Sequence, residues 1–315
     1  MIKFFSPRFL MVVAALCLMA FTADPEAKKI TLRLNLEKGQ SYQVENRVEQ
    51  EIVQTIMGTE NTIEQRMGYF YDYEVQDLVE GNYDIQVTYT DILFEQTAQG
   101  MTTSYDSRDT ASDVPMGAQA QASLVGESFR MTMTPEGRIS TLSGMDAIIE
   151  KIAGDMQMPG VPAEQMRAQL ESQMGDEAMR SNMSETMAIY PDGPVRKGDS
   201  WTRKGTVRSQ ITLDLVSTYT LDRVSDGKAY VSVDGELSTN EDAEPTEMMG
   251  MTMVYDLGGT QKGTMVIDVE TGLTLESNLT QLISGQITAS GGQMGNQTME
   301  IPMRLESNIT TKMME

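Results

Sequence analysis

The sequence predicts a mainly β (α+β) fold. Three observations carry this: period-two alternation of apolar residues along most of the chain, glycine-bearing turns between the alternating runs, and one central stretch where the period becomes helical. The expected architecture is a duplicated antiparallel meander with a helical insertion between its halves. The meander would form a curved sheet, an open barrel or a sandwich.

In chain order, Lys3 and Arg8 precede an uncharged apolar run from Phe9 to Phe21, and small residues follow at Ala20, Thr22 and Ala23. This run is shorter than the roughly 20 apolar residues that span a bilayer, so residues 1–23 read as a cleaved secretory signal. Cys17 is preceded by Leu16 and followed by further apolar residues, which disfavours lipidation. The expected location is exported, periplasmic or extracellular, with no transmembrane segment after signal cleavage.

The strand signal starts at Ile30, Leu32, Leu34 and Leu36, alternating with Thr31, Arg33 and Asn35. It recurs at Tyr83, Ile85, Val87 and Tyr89, and at Phe129, Met131 and Met133. Later runs are Met265, Ile267 and Val269, then Ile301, Met303, Leu305 and Ile309. Such runs bury one face of an antiparallel sheet and leave the other in water. The phase slips between Thr90 and Asp91, so that Ile92 and Phe94 carry the apolar face onward; a β-bulge is expected there. Turns are expected at Glu80-Gly81-Asn82, Pro135-Glu136-Gly137, Asp226-Gly227-Lys228 and Glu270-Thr271-Gly272. A polar loop is expected around Tyr105 to Ala122.

From Ser143 to Tyr190 the period lengthens. Ser143 and Asp146 suit a capping box, and Met145, Ile148, Ile149 and Ile152 lie on one helical face. Pro162 suits the first turn of a second helix carrying Met166, Leu170 and Met174. A third helix would present Met179, Met183 and Met187, and Pro191-Asp192-Gly193-Pro194 ends the segment.

The flanks of this segment resemble each other. Lys38-Gly39-Gln40-Ser41-Tyr42, the Gly81 turn and the Gly137 turn recur in the same order as Lys197-Gly198-Asp199-Ser200-Trp201, the Gly227 turn and the Gly272 turn. Tyr73-Glu74-Val75-Gln76-Asp77 parallels Tyr219-Thr220-Leu221-Asp222-Arg223. The domain reading is therefore 1–23 signal, 24–142 first β repeat, 143–191 helical insertion and 192–315 second β repeat, with 24–315 as one continuous domain the alternative.

Leu34-Asn35-Leu36-Glu37-Lys38-Gly39, Val195-Arg196-Lys197-Gly198-Asp199-Ser200-Trp201, the Gly258 to Gly272 hairpin and the closing Ile301-Pro302-Met303 strand resemble exported, β-rich families of unknown function common in Bacteroidota. The resemblance implies export and a β-rich fold. It implies no activity, cofactor or site residue.

Composition narrows function. The chain has no histidine, and its one cysteine lies in the signal. The mature chain thus lacks the commonest general base and metal ligand, the thiol nucleophile, and any disulfide. A formal charge of −22 argues against a nucleic-acid partner. There is no phosphate-cradling glycine loop, no nucleophile elbow and no Ser-x-x-Lys. Carboxylate pairs alone offer too many candidates to select a glycosidase site. No catalytic residue, cofactor or metal ligand is therefore assigned, and the chain reads as a non-enzyme.

The distinctive positive feature is 27 methionines. They suit an adaptable apolar core or an apolar cavity. A Cu(I) site is a minor alternative, because thioethers suit that ion but histidine usually accompanies them. The acidic runs Asp106, Asp109, Asp113 and Asn240 to Glu247 lack calcium-loop spacing and read as solvated loops. Trp201 reads as a core anchor. The functional expectation is an exported binding or carrier protein for an apolar ligand such as lipid, lined by Met166, Leu170, Met174, Met183 and Met187. The alternative is a structural or protein-interaction module of the cell envelope.

Overall fold

The computed structural model describes residues 29–111, 113–155, 163–208, 211–240, 242–243, 245–248, 251–292 and 297–314. The signal, Cys17, Met156, Met158 and Pro162 lie outside the described residues.

The first half carries β1 (Ser41–Ile56), β2 (Thr59–Val79), β3 (Asn82–Ala98), β4 (Met101–Asp106), β5 (Ser128–Met133) and β6 (Ile139–Ser143). A short helix α1 (Gln119–Ala122) lies between β4 and β5. The helical segment holds α2 (Met145–Asp155), α3 (Ala163–Met174) and α4 (Asp176–Met187). The second half carries β7 (Ser200–Arg208), β8 (Thr212–Ser225), β9 (Lys228–Thr239), β10 (Thr246–Met248), β11 (Met251–Asp268), β12 (Thr274–Gly291) and β13 (Thr298–Met314).

All thirteen strands belong to one antiparallel sheet of order β6-β5-β3-β2-β1-β13-β12-β11-β9-β8-β7, with β4 beside β3 and β10 beside β11. The halves join through β1 and β13, so β6 and β7 are left as the free edges. Within each half the order is the same: β1-β2-β3-β5-β6 against β7-β8-β9-β11-β12. The likeness extends to detail. The amide of Gly39 donates to Val75 and that of Val75 to Gln40, while the amide of Gly198 donates to Leu221 and that of Leu221 to Asp199. One residue bulges from the ladder after Val75 and one after Leu221, namely Gln76 and Asp222. The bulge expected near Thr90 is also present: Tyr71 pairs Tyr89, Phe70 pairs Asp91, and Thr90 is unpaired. It keeps Tyr89 and Ile92 on one buried face.

Three local expectations are corrected. Residues 30–36 alternate as expected, with Leu32, Leu34 and Leu36 buried, but they form no ladder strand. The Leu34 amide donates to Pro135 and the Asn35 amide to Thr271, so the segment threads between the equivalent hairpins of the two halves. Burial parity needs an extended backbone, not a sheet partner. Ser143 stays in β6, and the Met145 amide at the start of α2 donates instead to Asp176 Oδ1 (2.9 Å). A carboxylate from α4 thus does the capping. Finally, Tyr105 belongs to β4, and residues 116–122 form a 3-10 turn and α1, where a polar loop is expected.

The inner face of the sheet carries two apolar clusters. The upper one contains Val75, Ile85, Val87, Tyr89, Phe129, Met131, Leu221, Val231 and Ile267. It is filled by Leu32, Leu34 and Leu36 and by Met145, Ile148, Ile149 and Ile152 of α2. The lower one contains Leu237, Leu257, Ile283, Ile287, Ala289, Ile301 and Met303. Glycines let the long strands curl around it. A Cβ on Gly259 would sit 2.3 Å from the Leu282 carbonyl oxygen, and Gly285, at φ +153°, has its Cβ position 2.1 Å from the Asp256 carbonyl oxygen.

Candidate functional site

The two clusters are separated by a row of polar inner-face residues that runs across the sheet at one register. Gln96 pairs with Gln65, Gln65 with Gln50, Gln50 with Ser307, Ser307 with Gln281, and Gln281 with Gln261. The row continues through Gly235 to Ser217 and ends opposite Arg203 on edge strand β7. Its members bond to one another. Gln65 Nε2 donates to Gln96 Oε1 at 2.7 Å and Gln281 Nε2 to Gln261 Oε1 at 2.7 Å, while Gln50 donates to Gln65. Gln261, Ser217 and Ser307 are buried. A buried amide row satisfied across neighbouring strands is cheap only in one register, so it pins the ladder.

Above the row, side chains pack as a filled core. Below it, the apolar cluster consists of strand residues with Ile211, and no helical residue belongs to it among the described residues. Ile52, Ile56, Leu213, Leu215, Met253, Tyr255, Met299 and Leu305 stay only partly buried although they face inward. This is an apolar surface that the described residues do not fill.

The free edges β6 and β7 meet at a seam stapled by α4. Ser184 Oγ accepts the Ile139 amide at 3.0 Å and donates to the Ile139 carbonyl at 3.3 Å, supplying β6 with the partner its edge lacks. On the other side, Trp201 Nε1 donates to the Ile189 carbonyl at 2.6 Å, and Arg203 donates to the Tyr190 carbonyl and to Asp192 (2.9 Å). Trp201 stacks on Tyr219 at 5.8 Å and packs against the upper cluster, which is the anchoring role its sequence position suggests. The Arg203 guanidinium holds the Asp192 carboxyl below the usual carboxylate range.

A cleft of about 430 Å³ opens at this seam, lined by Arg138, Arg180, Arg203 and Lys204 with Glu136, over a floor that includes Ile139, Leu215, Ser217 and Tyr219. Arg180 is paired with Glu177, and Arg203 with Asp192. A second hollow, of about 370 Å³, lies around Arg47, Arg66, Glu95, Tyr105, Asp106 and Asp109. Its two arginines are engaged, Arg47 with Glu45 and Arg66 with Glu95, Arg108 pairs with Asp106 and holds its carboxyl low, and Glu49, Asp109 and Asp113 leave the lining acidic. Among the described residues, no group of three or more carboxylates gathers as a metal ion would need.

Of the residues expected to line a ligand, Met166 is buried, and Leu170, Met174, Met183 and Met187 are partly buried against the upper cluster. None of them lines either cavity. Met131 and Met133 are buried on one face of β5. Sequence reasoning missed the polar row and the basic cleft. The row had a usable signal, namely glutamine or serine at inward parity within apolar alternation, as at Ser307 between Leu305 and Ile309. The cleft had none, because Arg138, Arg180 and Arg203 come from three separate elements.

The outward face is largely ionic, with Val216, Val254 and Leu282 exposed among the charges. Arg304–Glu51 and Lys262–Asp234 pair across it at 3.4 Å each, and Glu49, Glu236 and Glu306 are exposed. A lipid-facing barrel would carry an apolar band there. No described helix is long and apolar enough to cross a membrane.

The model of a family of unknown function (DUF6263) matches residues 80–274, more than half of the chain, which therefore belongs to that family. No curated protein matches in sequence. Among solved structures, one of lipid–protein interactions in lipovitellin is similar with a TM-score of 0.48 at 6% identity, covering 89% of this chain and 26% of that one. The chain thus spans about a quarter of that protein's length. OccK7 (OpdD) of Pseudomonas aeruginosa is similar with a TM-score of 0.23 at 7% identity, covering 88% of this chain and 99% of that one. Salmonella typhi OmpF gives 0.22 at 10% identity, covering 90% and 100%. At these scores none of the likenesses carries a functional argument.

Proposed function

We propose that this member of a family without assigned activity is an exported, non-enzymatic binding or carrier protein for an apolar ligand such as an acyl chain or lipid. The ligand lies on the inner face below the glutamine row. One observation carries the reading: most of the lower cluster's inward apolar side chains, from Ile52 and Leu213 to Met253 and Leu305, remain only partly buried, whereas most of the upper cluster's are buried. A folded chain gains by covering such surface, at about 25 cal/mol per Å². An extended apolar chain matches both its chemistry and its length along strands of 12 to 18 residues. Native mass spectrometry of gently purified protein tests this. Stoichiometric co-purified lipid, or uptake on titration, supports the proposal; a clean apo mass with no uptake overturns it.

A second reading, a protein-interaction module of the envelope, is favoured by two hairpin tips. Met57 and Met101 are 84% and 72% exposed at the β1–β2 and β3–β4 turns. Under that reading Met57→Ser with Met101→Ser abolishes co-purification of a protein partner. Under the carrier reading it leaves lipid uptake unchanged.

A further inference from the structure

The geometry points to the seam cleft as a subsite for an oxyanion group, phosphate above all, carried at the end of the apolar ligand. This rests on the reading of the lower inner face as the acyl-binding surface.

The charge pattern is the first support. The chain carries 46 acidic and 24 basic residues, so its overall field repels anions. Yet Arg138, Arg180, Arg203 and Lys204 converge on one cleft from β6's approach, α4 and β7. Arg180 and Arg203 are held in place by Glu177 and Asp192, so their positions are set before any ligand arrives. Among the described residues Arg138 and Lys204 make no ion pair within 4 Å, Arg138 acting on Asp192 only at longer range beside the direct Arg203 pair. Glu136 also lines the cleft and is its one acidic wall residue. Cations without a close ion pair, beside fixed guanidiniums, suit a group with several acceptor oxygens, which charge-assisted hydrogen bonds hold most strongly.

Continuity is the second support. Leu215 lines the cleft and also belongs to the lower apolar cluster, and Ser217, the end of the polar row, lies in the cleft floor. A ligand whose chain lies along the lower face would therefore reach the cleft with its head group without crossing the filled core. The volume of about 430 Å³ has room for such a group and its hydration.

Calorimetric titration of the full protein with dodecyl phosphate, dodecanol and inorganic phosphate tests the inference, in wild type and in the Arg138→Ala, Lys204→Ala double variant. Both replaced residues are exposed and neither side chain makes one of the seam hydrogen bonds, so those contacts stay intact. The expected result is that dodecyl phosphate binds at least about tenfold tighter than dodecanol at low salt, and that the double variant loses this preference while still binding dodecanol. Equal affinities in wild type, or a preference that survives in the variant, overturn the subsite and leave the acyl-binding reading standing. If inorganic phosphate binds in a manner the double variant abolishes and neither amphiphile binds, the acyl reading falls and the cleft is a site for free phosphate. If none of the three binds, both readings fall.

Discussion

The upper and lower halves of the inner face are made by the same strands, yet they are finished differently. Above the glutamine row, three N-terminal leucines and the apolar face of α2 complete a core in which Ile85, Ile148, Ile149, Leu221 and Ile267 are essentially inaccessible to solvent. Below it, strand residues face each other with little added, and much of the apolar surface stays partly open. Two meanders of the same strand order make two like walls and nothing to fill them. The helical segment and the N-terminal segment supply the filling at one end only. The closed end provides stability, and the open end is where the proposed ligand would lie.

That comparison can be broken most forcefully in the upper half. Ile149→Ala removes buried methylenes from a site that cannot collapse and should cost about 3 kcal/mol in denaturant unfolding. Met253→Ala, in the lower cluster, should cost under about 1 kcal/mol, because its side chain is already partly hydrated. Equal costs would mean that both ends are core.

The next largest effect lies at the seam. Gly137, at φ +79°, has its Cβ position 2.3 Å from the Met187 carbonyl oxygen, whereas Gly81, at φ +82°, has open space around it. Gly137→Ala should therefore destabilise by about 2–3 kcal/mol and shift Trp201 fluorescence, while Gly81→Ala costs only about 1 kcal/mol of backbone strain. Ser184→Ala removes both hydrogen bonds to Ile139 and should cost about 1 kcal/mol, again visible at Trp201.

The smallest effect is a pH dependence. The carboxyl of Asp192 is held low by Arg203, so its contribution to the seam is complete above the ordinary carboxylate range and fades as pH falls through its lowered value. Below about pH 4, Trp201 emission should move toward that of the Asp192→Asn variant, which itself loses this component of the titration. Because Asp192 is largely exposed, the change in stability should be slight.

Much of the fold was legible in the sequence. Period-two parity marked the inner face even where the backbone is not in a ladder, as at Leu32, Leu34 and Leu36. The recurrence of Lys-Gly-x-Ser-aromatic and of two glycine turns marked a repeat whose bulges at Gln76 and Asp222 fall at matching positions. The helical faces of α2 to α4 were equally plain. What remained hidden depends on which elements meet. Of the five helical residues expected to line a ligand, Leu170, Met174, Met183 and Met187 pack against the upper cluster and Met166 is buried; helical amphipathicity specifies an apolar face without saying what covers it. The seam, with Ser184 against Ile139 and Trp201 against Ile189, joins residues from strands at opposite ends of the sheet order, and no local pattern records that meeting. The polar row was hidden for a different reason. Each glutamine breaks its own strand's alternation only once, and the row emerges when the strands are aligned.

Photo-crosslinking with a diazirine-bearing fatty acid, followed by peptide mapping, tests the central claim most directly. The account predicts adducts on inner-face residues below the row, such as Leu213, Met253 and Leu305. Adducts confined to helical residues such as Met174 and Met183, or no adducts at all, would contradict it.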